Sequence, residues 1–261
     1  MSRPPHGPRA ARAGRGAFAA WLACACLARH AAAEPLAPPI GALAPSPAAS
    51  APAPAATAAP FAATPGSAHD FADVAQWRRV FDDPARDGWQ KPRELVAALR
   101  IRPGAWVADL GAGTGYFSRF LDAAVGPRGV VFAVDTEPNL VAHLRARAEE
   151  ERTRTIVPVL ASFDDPRLPP NALDLVLLVD TYHHLDDRRA YLARLGAALK
   201  PAGRIAIVDW KQGALPIGPP PAHKLARTQV IDEMRIADWR LVEEPALLPH
   251  QYVLVFVRGG R

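Results

Sequence analysis

Cysteine is nearly missing from this chain. Of 261 residues only Cys24 and Cys26 are cysteine. From residue 27 onward the chain can form no disulfide, offers no thiolate nucleophile and gives zinc no sulfur ligand. Acids are missing from residues 1–33, which hold five arginines (Arg3, Arg9, Arg12, Arg15, Arg29). Removing those five from the 31 basic residues leaves 26 against 26 acids, so the formal +5 belongs to the leader. The remainder is neutral, which argues against a nucleic-acid-binding body. Long apolar runs are missing too. The apolar stretch at 17–28 has twelve residues, where a membrane-spanning helix needs about 20.

What is present in the leader has the form of a secretory signal. Arg9, Arg12 and Arg15 make a charged start, 17–28 the apolar centre, and Ala31-Ala32-Ala33 a small-residue cleavage site before Glu34. Residues 1–33 are therefore expected to be a signal peptide, with export to the periplasm. Initiation at a non-AUG codon such as that of Val74 would instead leave a cytoplasmic protein. Between Pro35 and Pro65 stand nine prolines and thirteen alanines. Proline removes donors and favours extended backbone, so 34–68 is expected to be a disordered tether. The folded domain is expected over 69–261, with 69–100 as a helical cap.

From Arg102 onward, apolar runs alternate with amphipathic segments. Residues 105–110, 130–134, 156–160, 173–179 and 205–208 have the branched, two-sided apolarity of buried parallel strands. Helices are expected at 116–125, 138–151, 188–199 and 222–237, the third stopped by Lys200-Pro201-Ala202-Gly203. Residues 77–94 are expected to add one or two helices over the site. Such alternation implies an α/β fold with a doubly wound sheet. Two further strands, 239–243 and 251–257, follow with no helix between them.

The most specific segment is Asp109-Leu110-Gly111-Ala112-Gly113-Thr114-Gly115, placed between the first strand and the next helix. Glycine at Gly111, Gly113 and Gly115 lets the backbone turn sharply and approach a ligand closely. The dinucleotide fingerprint G-x-G-x-x-G would need its third glycine at position 116, which is Tyr. Asp109, at the strand end, is suited to a cationic amino group or an ordered water. This segment resembles motif I of the class I S-adenosylmethionine-dependent methyltransferases. The segments Arg86 to Pro92 and Asp180 to His184 resemble those of a bacterial, small-molecule-type subgroup. The resemblance implies a Rossmann-like seven-stranded sheet of order 3-2-1-4-5-7-6, its last strand antiparallel. It also implies S-adenosyl-L-methionine as cofactor and methyl transfer to a small-molecule acceptor.

On this resemblance the cofactor meets Asp109, Gly111, Ala112, Gly113 and Gly115 with its methionine part. Asp135, which ends the second strand 24 residues after Gly111, would accept both ribose hydroxyls. Phe163 and Asp164 would meet the adenine, with Ser162 and Asp165 as alternatives. Asp180 would face the sulfonium and the acceptor. In-line displacement needs a base only if the acceptor arrives protonated. His183 and His184, with Asp180, are the catalytic candidates, and Tyr182, Trp210 and Lys211 candidates for the acceptor pocket. Trp77, Phe81 and Trp89 could form a lid. A metal site is not expected, and a monomer or weak dimer is. Two readings compete with an enzyme of this kind: a non-catalytic adenosyl-ligand-binding protein, and an NAD-dependent oxidoreductase.

Overall fold

The computed structural model describes residues 73–260. The expected signal peptide and tether lie outside the described residues. Three helices come first: α1 (Val74–Phe81), α2 (Arg86–Gln90) and α3 (Pro92–Ala98). The expectation was one or two. The split arises at Lys91, whose left-handed φ of 44° ends α2, while Pro92 supplies the fixed φ that opens α3. Asp73 caps α1 by accepting from the Gln76 N–H at 3.0 Å.

Strands and helices then alternate: β1 (Trp106–Leu110), α4 (Ser118–Val125), β2 (Val130–Asp135), α5 (Pro138–Glu150), β3 (Ile156–Leu160), β4 (Leu173–Val179), α6 (Arg188–Ala198), β5 (Leu199–Trp210), α7 (Arg227–Ile236), β6 (Trp239–Glu243) and β7 (Gln251–Arg258). They form one seven-stranded sheet of order β3-β2-β1-β4-β5-β7-β6. The pairs from β3 through to β5 are parallel, and β7 runs antiparallel to both β5 and β6. Fold class and strand order are those expected.

Side-chain alternation divides the core into two layers. Ala108, Leu110, Val176, Leu178, Ile205 and Ile207 face one side and pack under α6 and α7 through Leu192, Leu195, Val230 and Met234. Val107, Leu175, Leu177, Ala206 and Val208 face the other, under α3 and α4 through Leu95, Leu99, Leu121 and Val125. Each such side chain removed from water contributes about 1.5–3 kcal/mol, and a one-residue slip would expose a whole layer. Register is thereby fixed, and with it the level at which each strand ends.

The helix stops ahead of Lys200-Pro201-Ala202-Gly203 as expected, α6 ending at Ala198, but the strand expected at 205–208 begins earlier: β5 starts at Leu199 and runs through these residues. The pairing passes from Leu173–Leu199 to Leu175–Arg204, so the extra residues bulge out of the ladder. Proline, which has no N–H to give, sits within a bulge at no cost in hydrogen bonds. Among the described residues no helix is long and apolar enough to cross a membrane.

Candidate functional site

Parallel strands that all finish on one edge of the sheet bring their terminal residues together. Asp109 and Asp135 are in the ends of β1 and β2, Asp180 follows β4, and Asp209 is the penultimate residue of β5. Four carboxylates thus converge on one edge.

Between β1 and α4 the glycines adopt φ values of +73° (Gly111), +56° (Gly113) and +87° (Gly115), which side-chain-bearing residues rarely adopt. A Cβ on Gly111 would collide with the Thr181 side chain, and one on Gly115 would lie 2.8 Å from Leu144 Cδ2. The loop is tied to β2: the Gly111 and Ala112 N–H groups donate to the Val134 carbonyl at 2.8 and 3.0 Å. Asp135 accepts from the Gly113 N–H at 2.8 Å and the Glu137 N–H at 3.0 Å. Burial pushes its pKa up against these bonds. Asp109 turns toward α4, accepting from Ser118 Oγ at 2.6 Å, and burial lifts it to about 6.

A cavity opens beside this loop. Gly111, Asp135, Ser162, Phe163, Thr181 and His184 are among the residues that line it. Phe163 is 77% exposed at its rim, an unusual position for a phenyl ring. Asp164 stands outside the lining, its carboxylate accepting from Ser162 Oγ at 2.8 Å and 3.9 Å from Arg194. It is thus Ser162, not Asp164, that accompanies Phe163 at the cavity.

A second polar cluster adjoins the cavity at the turn after β4. Asp180 holds a left-handed φ of 55°, a strain of about 1–3 kcal/mol that its surroundings must sustain. Gln251 of β7 and Gln90 of α2 donate to its two oxygens, the latter at 3.2 Å. Gln90 in turn accepts from Arg86 Nε and Nη2 at 2.9 and 2.6 Å. Desolvation, then the Asp209 charge, raise Asp180 to about 7. His183 is buried, its Nδ1 lying 2.9 and 3.0 Å from the two oxygens of Asp209. Burial pushes the imidazole pKa down, but the Asp209 bond and charge, with Asp180, outweigh it and hold the pKa above the ordinary value. The His184 ring lies 4.1 Å from that of His183 and is exposed.

The cap closes over the loop. Asp82 accepts from Thr114 Oγ1 at 2.8 Å and from Arg147 Nη1 at 3.1 Å. The Tyr116 hydroxyl donates to Asp87 at 2.5 Å, and the Arg86 guanidinium stacks over the Tyr116 ring at 4.1 Å. Of the expected lid aromatics, Phe81 packs against Gly113, Trp77 against Phe81, and Trp89 against Trp210 at 5.4 Å. One acceptor-pocket expectation, Tyr182, is corrected, and the structure shows what a second, Lys211, touches. Tyr182 is fully buried and donates to Glu233 at 3.0 Å, within the core beneath α7. Lys211 spends its ammonium on the Leu248 and Pro249 carbonyls at 2.9 and 3.1 Å.

Asp209 and Gln251 are absent from the sequence-based expectations, and Arg86 and Gln90 enter them only as members of the Arg86 to Pro92 segment, with no role assigned. Asp209 carries the same signal as Asp109 and Asp135, an acid closing an apolar strand. Gln251 carries none, because its role depends on a strand far from Asp180 in the chain, and the segment that holds Gln90 does not say what its amide meets. Among the described residues no group of three histidine, cysteine or acidic side chains is arranged to hold a metal ion.

A family model described as "Methyltransferase domain" matches residues 107–203. The chain is similar to the ubiquinone/menaquinone biosynthesis C-methyltransferase of Cupriavidus metallidurans, with 26% identity over 146 residues. It is also similar to the demethylmenaquinone methyltransferase of Listeria monocytogenes, with 25% identity over 128 residues. These matches cover 54% and 49% of this chain, and it spans only 59% and 53% of those relatives. A solved S-adenosylmethionine-dependent methyltransferase from Aquifex aeolicus superimposes with a TM-score of 0.67 at 23% identity, covering 70% of this chain and 97% of that one. A 1,6-didemethyltoxoflavin-N1-methyltransferase from Burkholderia thailandensis, solved with its acceptor and S-adenosylhomocysteine, gives 0.53 at 20% identity, covering 72% and 84%. At these identities the solved structures establish the shared fold.

Proposed function

We propose that the chain, whose residues 107–203 match a methyltransferase-domain model, is a class I S-adenosylmethionine-dependent methyltransferase that transfers a methyl group to a small-molecule acceptor. The observation that carries this reading is the sign of the charge at the strand ends. Asp109, Asp135, Asp180 and Asp209 stand against Arg86 and a histidine. An acid-rich strand edge of this kind favours a ligand that brings a sulfonium and an ammonium over a dinucleotide pyrophosphate, most fully above the raised Asp109 and Asp180 values of about 6 and about 7.

The residues present fit that donor. Asp135, anchored by two backbone N–H groups at the cavity wall, is placed to accept ribose hydroxyls. Ser162 and Phe163 supply a polar edge and an apolar face for a purine. The glycine loop leaves room where a Cβ would intrude. When bound, S-adenosylmethionine supplies a methyl group already activated on a positive sulfur.

The chain's own contribution is then positioning and proton handling. Asp180, held by one amide from α2 and one from β7, fixes the wall between cofactor cavity and acceptor side. Asp209 fixes the ring orientation of His183 through Nδ1, and leaves Nε2 as the nitrogen able to take a proton from an acceptor hydroxyl, enol or ammonium.

Calorimetric titration of the full chain with S-adenosylhomocysteine, and separately with NAD, tests the cofactor assignment. Micromolar affinity for the first that is lost in Asp135→Ala supports it. Binding of NAD in its place would overturn it. An acceptor screen reading S-adenosylhomocysteine formation then separates turnover from binding alone.

A further inference from the structure

The sheet has a second concave end, opposite the cavity described above. At the starting ends of β1, β4 and β5 a cleft of about 650 Å³ is lined by Arg100, Arg102, Lys200 and Arg204, with Asp174 beside them. The cations come from two separated segments. Arg100 and Arg102 lie on the link between α3 and β1, where Arg100 has a left-handed φ of 48° and Gly104 one of 85°. Lys200 and Arg204 lie at either end of the bulge in β5. The bulge is what lifts Lys200 out of the ladder and toward the arginines.

Charge in the cleft is unbalanced. Asp174 accepts from Lys200 Nζ at 2.8 Å. Glu243 pairs with Arg100 and lies 4.0 Å from Arg204 Nη1, sharing one oxygen between them. Four cations against these two carboxylates leave two positive charges in excess. Side-chain exposure rises from Arg204 (21%) through Lys200 (42%) to Arg100 (68%), so the cations line the cleft from floor to mouth. Burial lowers the Arg204 pKa, and the Arg100 and Arg102 charges lower it further against the pull of Glu243. Like charges held together in a partly desolvated hollow are stabilised by an anion between them.

We infer that this cleft is a second ligand site, distinct from the cofactor cavity, that binds a compact phosphate-class anion carrying at least two negative charges. Its volume suits a phosphorylated small molecule or an exposed phosphate headgroup. Guanidinium groups suit phosphate because their planar N–H pairs match its oxygens. The site does not depend on the methyl-transfer reading, since it shares no residue with the cofactor cavity.

The test uses the full chain in buffer free of phosphate and sulfate, titrated with pyrophosphate at 0.15 M salt, roughly an 8 Å screening length. One-site saturable binding is expected, weakened at least about tenfold in an Arg102→Glu/Lys200→Glu variant that still binds S-adenosylhomocysteine. Cosedimentation with phosphatidic acid vesicles, whose phosphomonoester headgroup can carry two charges, lost in the same variant and without pyrophosphate binding, would assign the anion to a lipid headgroup. Pyrophosphate binding without cosedimentation would assign it to a soluble phosphate. Absence of both, or binding that survives charge reversal, would overturn the inference. Loss of S-adenosylhomocysteine binding by the wild-type chain would count only against the methyltransferase reading.

Discussion

His183 and Asp209, 26 positions apart in the chain, form a buried pair in which one imidazole nitrogen meets both oxygens of one carboxylate. The carboxylate also accepts the Trp210 N–H at 2.8 Å, so it is fixed before the histidine reaches it. A base must be neutral to act, and this one has its pKa raised. The acid limb of the rate profile is therefore expected above the ordinary histidine value of about 6.5. Asp209→Asn is expected to move that limb to lower pH and to reduce kcat by roughly 10²-fold, with little change in KM for the donor. A pH–rate series on both proteins checks it; superimposable profiles would remove His183 from proton transfer.

Gly111 and Thr181 occupy adjoining space at the mouth of the cavity. Gly111→Ala forces a methyl group into Thr181 and places a side chain at positive φ, for an expected loss of about 1–3 kcal/mol in urea denaturation. Adding Thr181→Ala removes the two closest contacts, leaving a tight 3.1 Å approach to the residue 181 Cβ and the backbone strain. Part of the stability is expected to return, and a double variant no more stable than the single would show that the clash is unimportant.

Asp180 has its folded-state pKa raised to about 7, well above the unfolded value of about 3.9. A raised carboxyl favours the protonated folded form. Its contribution is fully present below about pH 4 and is lost as pH rises through about 7. Asp180→Asn mimics the protonated state, so its melting temperature relative to wild type is expected to rise between pH 5 and pH 8. Thermal unfolding at the two pH values decides it: an unchanged difference would mean that Asp180 titrates normally.

Glu233 is fully buried and receives Arg188 Nε at 2.7 Å, Arg188 Nη2 at 3.0 Å, the Tyr182 hydroxyl at 3.0 Å and Gln229 Nε2 at 2.9 Å. Glu233→Gln leaves the Arg188 cation buried without its counter-charge, at an expected cost of about 3–5 kcal/mol. Arg188→Met combined with Glu233→Leu is expected to cost less than either single change. A double-mutant cycle in denaturant reports the coupling, and additive losses would refute it.

Much of the sheet is legible in the chain because its strands are apolar on both faces, a pattern that only a layer covered on both sides produces. The closing pair 239–243 and 251–257 is legible for a related reason, since no helical segment separates its strands. The bulge at Lys200–Gly203 is not: proline and glycine end a helix and interrupt a strand with the same residues. The glycine loop, the acids in the ends of β1 and β2 and the acid after β4 mark the site because local backbone geometry places them. The placement of Tyr182 against Glu233 and of Gln251 against Asp180 depends on packing between elements more than 50 residues apart. No local pattern reports such contacts.

The bond from Gln90 to Asp180 crosses the boundary between the helical cap and the sheet. Lifting α2 takes away one of the two amides that hold the carboxylate. Were a ligand to enter from the cap side, its admission and the loosening of that carboxylate would be a single event. The wall of the site is complete only when the site is shut, so an open form would be both accessible and unready.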